Sequence, residues 1–264
     1  MTQTHSIYVN ENGRPVRFWS FVLPLVAAVL SLVLLALAAP WLYALVVQAG
    51  ASQQDVIEFV HRPEARYVGI QVLLAIGYIV VLIVLRWCLG GVGRARLTAD
   101  FVPTSGKWVA LGAIVGVALA FAALAVMALL SSAGAMDFHT DKGDQAVLPH
   151  SAGELLMAAS TIVLLGPYVE ELYFRGAMLT WLRERIGWLF ALALSAAIFG
   201  LAHLQFLSNP GPQGWVLTAL IGAVGVVNGI WANATRSLWP AFATHAAYNG
   251  TMVMLALLMP SVEQ

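Results

Sequence analysis

The chain has 264 residues, 60% hydrophobic and 10% charged, with a mean hydropathy of +0.82; soluble domains carry about 25% charged residues, so this is a polytopic membrane protein. Thirteen basic side chains balance thirteen acidic ones, which argues against nucleic acid or an anionic surface as a general partner. The single cysteine, Cys88, lies in an apolar run and excludes an intrachain disulfide or a cysteine metal cluster.

Arg14 and Arg17 precede the first apolar run, and Ala36, Leu37 and Ala38 fit a small-x-small cleavage site. The run continues through Trp41 to Val47, too long for a signal peptide, and reads as an uncleaved first span. Seven apolar stretches approach the roughly 20 residues needed to cross the hydrocarbon core: 18–47, 67–89, 108–130, 152–182, 188–207, 215–232 and 238–259. Backbone polar groups must be satisfied internally within lipid, and no alternating strand pattern suggests a barrel, so each stretch is predicted helical. The expected fold is an all-α polytopic membrane protein of about seven transmembrane helices (six to eight). It divides into an N-terminal part, 1–150, of three spans with polar loops, and a C-terminal part, 151–264, of four spans.

Counting basic residues in the connections sets the orientation. With the N-terminus inside, the inner segments hold Arg14, Arg17, Arg86, Arg94, Arg96, Lys107, Arg183, Arg185 and Arg236, against Arg62, Arg66 and Lys142 outside. The positive-inside bias then places the N-terminus in and the C-terminus out. The loop 131–151 mixes Asp137, His139, Asp141, Asp144 and His150; it has no known ligand spacing and reads as a solvated polar loop. Gly112 and Gly116 form a GxxxG pattern in the third span, expected to pack helices within the chain.

The chemistry lies in the last four spans. The fourth carries GPYVEELYFRGAM, Gly166 to Met178, with Glu170, Glu171 and Arg175 in an otherwise apolar helix. Each charge at mid-bilayer costs roughly 2.5 to 3.5 kcal/mol on insertion scales, so such residues are functional candidates facing the bundle interior. Glu171 and Arg175 are four apart, on one helix face, with the acid N-terminal to the base. Glu170 points about 100° away. Pro167 is expected to free a backbone carbonyl and kink the helix. In the fifth span Phe199 underlies His203, and in the seventh His245 and Asn249 share one face. If spans four and five form a hairpin turning at 184–187, Glu170 and His203 each lie roughly 21 to 22 Å from the turn and meet. His245 is only seven residues past Leu238, so the seventh helix must start deeper or tilt to join them.

These residues carry a resemblance. EELYFRG at Glu170 to Gly176, FGLAH at Phe199 to His203, and HAAYN at His245 to Asn249 resemble, in order, the EExxxR, FxxxH and HxxxN/D motifs of the CAAX-processing and bacteriocin-processing membrane proteases, which include the Ras-converting CAAX endopeptidase. The resemblance covers about 152–259. It implies peptide-bond hydrolysis within the membrane, with Glu170 as the base for water, His203 orienting that water, and His245 and Asn249 donating to the oxyanion. Glu171 and Arg175 would hold the helix or grip a substrate carboxylate, and Phe199 would support the histidine. No cofactor is expected. The alternative is a zinc protease with Glu170, His203 and His245 as ligands, although no HExxH is present. A non-catalytic scaffold or immunity-type protein, or a transporter, is the reading from outside enzymology; the lack of polar counterparts in the N-terminal half disfavours a transporter. The expected partners are membrane lipid and a membrane-associated protein or peptide substrate. The Ala, Leu and Val richness and short loops suggest a bacterial cytoplasmic membrane.

Overall fold

The computed structural model describes residues 14–90, 95–136, 149, 151–209 and 211–258. The metal-like loop residues Asp137, His139, Asp141, Asp144 and His150 lie outside them, as do Arg94, Lys142 and Met259. The fold is all-α. Its N-terminal part comprises α1 (Trp19–Gln48), the short α2 (Gln53–His61), α3 (Pro63–Cys88) and α4 (Gly106–Ser132). Ser52 and Asp55 form a capping box at the start of α2, and Pro63 opens α3, where a missing N–H is harmless. A two-residue parallel pairing of β1 (Arg14–Pro15) with β2 (Ala95–Arg96) ties the N-terminal segment to the α3–α4 connection.

The fourth expected span is not a uniform α-helix. It runs as α5 (Ala152–Ala158), a π-helical segment π1 (Ala159–Leu165), α6 (Gly166–Glu171), a second π-helical segment π2 (Leu172–Met178), and α7 (Leu179–Ile186). Gly187, at φ 76, makes the turn into α8 (Trp188–Ala202), as the hairpin reading required. The fifth stretch is broken where a continuous helix was expected: His203 caps α8, Leu204 adopts the left-handed conformation at φ 56, and the short α9 (Gln205–Ser208) follows. Two helices complete the chain, α10 (Pro212–Thr235) and α11 (Trp239–Leu258).

Among the described residues, five segments are long and apolar enough to cross a membrane: Glu64–Cys88, Gly106–Ser132, Ala152–Ile186, Trp188–Ser208 and Pro212–Thr235. The first and last expected stretches are occupied by α1, of 30 residues, and α11, of 20 residues. The latter carries Thr244, His245, Asn249 and Thr251 and is the more polar helix for it.

Close backbone approach sets the helix packing around the polar residues. A Cβ at Gly112 would overlap the Pro240 carbonyl, and one at Gly116 the Thr244 carbonyl. The GxxxG pattern therefore seats α11 directly on α4 within the chain, and Thr244 donates to the Gly112 carbonyl at 2.9 Å. Gly200 of α8 likewise admits the Thr218 carbonyl of α10. The start of α11 is sunk into the protein. Leu238 donates its N–H to the Asp100 carbonyl at 2.9 Å, the Ser237 hydroxyl donates to the Val102 carbonyl at 2.8 Å, and Ser237 and Leu238 are both fully buried. That deep start resolves the depth mismatch noted for His245.

Helix α3 runs beside the interrupted fourth span and is bonded to it at several levels. Tyr67 donates to the Glu154 carbonyl at 3.2 Å, Gln71 pairs with the Thr161 hydroxyl, and Arg86 donates to the Tyr168 hydroxyl at 2.8 Å. The main core gathers Leu85 of α3 and Leu89 just after it with Leu172, Phe174, Met178, Leu179, Phe199 and Leu238.

Candidate active site

Polar side chains from spans four, five and seven come together between α6, π2, α8, α10 and α11. Glu171, the last residue of α6, is fully buried. One of its oxygens, Oε1, accepts from His245 Nδ1 at 2.9 Å and from Asn228 Nδ2 at 2.8 Å. Its other oxygen lies 3.3 Å from Arg175 Nε. The ion pair expected from the four-residue spacing is present even though Arg175 stands in a π-helical segment. Arg175 is 1% exposed, with its guanidinium 4.2 Å over the Phe199 ring. A Cβ at Gly225 would come within 3.0 Å of its Nη2, so this glycine makes room for the buried cation. Arg175 thus sits behind the site and does not line the cavity described below.

Glu170 faces the other way. Its Oε1 accepts from the Tyr78 hydroxyl at 2.6 Å. Its Oε2 is buried without a hydrogen-bond partner and is approached by His245 Nε2 at 3.7 Å and His203 Nε2 at 3.9 Å. Both rings are oriented from behind. His203 Nδ1 lies 2.8 Å from the Phe199 carbonyl, an acceptor only, so that nitrogen carries the proton and Nε2 is the nitrogen turned to Glu170. His245 Nδ1 is held by Glu171, which turns its Nε2 the same way. Phe199 makes edge contacts with both rings, at centroid separations of 4.8 Å to His203 and 5.5 Å to His245. The break after His203 places its ring at the C-terminal end of α8.

Asn249 meets the π-helical distortion. The Gly166 N–H bonds back to the Thr161 carbonyl, five residues earlier. In that register the Ile162 carbonyl would take the N–H of residue 167, which is a proline and has none. Asn249 Nδ2 donates to this carbonyl at 2.9 Å. The proline-freed acceptor expected from sequence is therefore satisfied by a residue of the third motif. An amide nitrogen carries two protons, so one N–H of Asn249 remains beyond this bond.

His203, His245 and Asn249 form the polar end of a cavity of about 230 Å³ whose other walls include Met127, Leu217, Ile221, Val224 and Met252. An apolar pocket with a few convergent polar groups is the usual form of a small binding site. Among the described residues, no group of three His, Cys, Asp or Glu side chains is spaced to hold a metal ion.

Every residue singled out from sequence lies in or against this cluster: Phe199, His203, His245 and Asn249 line the cavity, Glu170 lies beside it against the two histidines, and Glu171 and Arg175 lie behind. Two partners were missed. Tyr78 stands in a largely apolar span, where its only signal is a shared helix face with Tyr67 and Gln71, and Asn228 is one amide in the sixth span with no motif to mark it.

Compared with known proteins, residues 152–251 match the model of the Rce1-like family, described as type II CAAX prenyl endopeptidase Rce1-like. No curated protein and no solved structure matches the chain. The matched region contains all three motifs, and the resemblance read from them is borne out. The family is one of membrane peptidases, so the chain is a hydrolase of the CAAX-protease type.

Proposed function

We propose that this Rce1-like domain hydrolyses peptide bonds of membrane-associated substrates, of CAAX type or near a C-terminus, with Glu170 as the base. The observation that carries the reading is the convergence of two imidazole Nε2 atoms on the one unpartnered oxygen of Glu170. A water held there donates one proton toward Glu170 Oε2 and the other toward His203 Nε2. Attack of its oxygen on the substrate carbonyl passes one proton to Glu170 and the carbonyl π electrons to oxygen. Collapse of the tetrahedral intermediate breaks the C–N bond, and Glu170 returns the proton to the departing amine. Water is consumed and two peptide termini result.

The oxyanion needs donors. The second N–H of Asn249 is one. His245, whose ring Glu171 holds through Nδ1, is the other. Glu171, Arg175 and Asn228 act as the buried frame that orients His245, and Phe199 fixes His203. The apolar cavity takes a hydrophobic group of the substrate. The chemistry needs no metal in this reading. The location is the cytoplasmic membrane of a bacterium, with the N-terminus inside.

The test is cleavage by the full chain in lipid nanodiscs of a fluorogenic peptide ending in a farnesylated cysteine and three further residues, beside its unprenylated counterpart. The wild type is expected to cleave at least one of them, and Glu170→Gln neither. Cleavage undiminished in Glu170→Gln would remove Glu170 as the base. Intact peptides in both proteins would contradict the C-terminal substrate class.

A further inference from the structure

The catalytic carboxylate proposed above is held from outside the Rce1-like domain. Tyr78 belongs to α3, far from residues 152–251 in sequence, and its hydroxyl donates to Glu170 Oε1 at 2.6 Å. A phenol can donate only one proton, and this one goes to the carboxylate oxygen that does not face the histidines. The terminal torsion of a glutamate is soft, with broad wells in place of sharp rotamers. Fixing Oε1 therefore fixes where Oε2 points, and Oε2 is the atom set between His203 and His245. Holding catalytic groups within about 0.5 Å of a productive geometry is the usual task of such supporting contacts.

Two further features point to the same contact. Gly166, one turn before Glu170, sits against the tyrosine: a Cβ there would lie 3.1 Å from both Cζ and the hydroxyl oxygen of Tyr78. An alanine would press on the phenol that reaches Glu170. Helix α3 is also registered on the fourth span by Tyr67 and Gln71, which lie on the same face as Tyr78 at intervals of four and seven residues. The helix is thus a strut whose polar side chains grip the interrupted span at several depths, and Tyr78 is the one that meets the reacting carboxylate.

We propose that Tyr78 is a positioning residue for hydrolysis, and that α3 thereby completes an active site which the Rce1-like domain alone leaves without a fixed base. The inference rests on Glu170 being the base, and its test separates the two claims. A survey of new protein termini in cells expressing the wild type or Glu170→Gln supplies a peptide spanning an actual cleavage site. Kinetics on that peptide are then measured for the full chain in nanodiscs as wild type, Glu170→Gln, Tyr78→Phe and Tyr67→Phe. The last cuts a different bond between α3 and the fourth span, to a backbone carbonyl, and serves as the structural control.

Tyr78→Phe is expected to lower kcat about 10- to 100-fold, the range typical of lost supporting contacts, with KM within about twofold of wild type. Tyr67→Phe is expected to keep kcat within about threefold of wild type. Wild-type kcat in Tyr78→Phe, a loss expressed in KM alone, or an equal kcat loss in Tyr67→Phe would overturn the positioning role while leaving Glu170 in place. Identical termini from wild type and Glu170→Gln would instead overturn the reading of the base, and this inference with it.

Discussion

The buried pair of Glu171 and Arg175 offers a test of the frame beneath the site. Replacing Arg175 by Met removes a cation that is 1% exposed, lies 3.3 Å from Glu171 through Nε and stacks at 4.2 Å on Phe199. The remaining carboxylate is wholly buried, with His245 and Asn228 as its only other bonded partners among the described residues. Breaking a buried pair by removing one partner costs about 3 to 5 kcal/mol, because an uncompensated charge stays behind. A desolvated cation–π contact of about 2 kcal/mol is lost as well. Removing both charges together is far less damaging, since well-packed apolar or neutral replacements of a buried pair are often neutral. The assay is reversible unfolding of the full chain in mixed micelles for wild type, Glu171→Gln, Arg175→Met and the double variant. Glu171→Gln is expected to lose about 3 to 5 kcal/mol and Arg175→Met about 5 to 7 kcal/mol, and the double variant should be more stable than their sum by at least about 2 kcal/mol. Additive losses, or an Arg175→Met protein as stable as wild type, would refute the claim that the two charges hold one another in place.

Other substitutions probe the packing and the proposed oxyanion donors. Gly116→Leu forces a side chain into the Thr244 carbonyl; it is expected to lower stability by about 1 to 3 kcal/mol or more in the same unfolding assay, and to reduce activity by displacing His245. Asn249→Ala removes the remaining amide donor and frees the Ile162 carbonyl, so kcat should fall about 100- to 1,000-fold with KM little changed; a change confined to KM would argue against an oxyanion role. Treatment of the purified chain with a strong zinc chelator is expected to leave cleavage intact, and inactivation reversed by added zinc would move Glu170, His203 and His245 to metal binding.

Much of this site is legible in the chain because helical spacing carries it. Glu171 with Arg175, and Phe199 with His203, stand four residues apart and meet in space. The hairpin at Gly187 brings Glu170 and His203 level by residue count alone. Tertiary effects are not legible in this way. The two π-helical segments conserve the apolar pattern of an α-helix, so nothing in the sequence distinguishes them beyond Pro167, whose missing N–H was expected to free a carbonyl but not to find Asn249 as its donor. The sunk start of α11 depends on Asp100 and Val102 from the α3–α4 connection, a contact between segments more than 130 positions apart. Tyr78 and Asn228 were missed for a simpler reason. Asn228 is a single amide with no period, and the face that Tyr78 shares with Tyr67 and Gln71 says nothing of which residue across the bundle it meets.

The most direct test of the central claim is a quantitative comparison of protein termini in cells expressing wild type or Glu170→Gln at equal membrane levels, since it presumes no substrate. New termini that appear only with the wild type, on membrane-associated proteins, are the result expected if Glu170 activates water for peptide-bond hydrolysis. Identical termini in the two strains across several growth conditions would contradict catalysis by Glu170 and leave the cavity as a binding site.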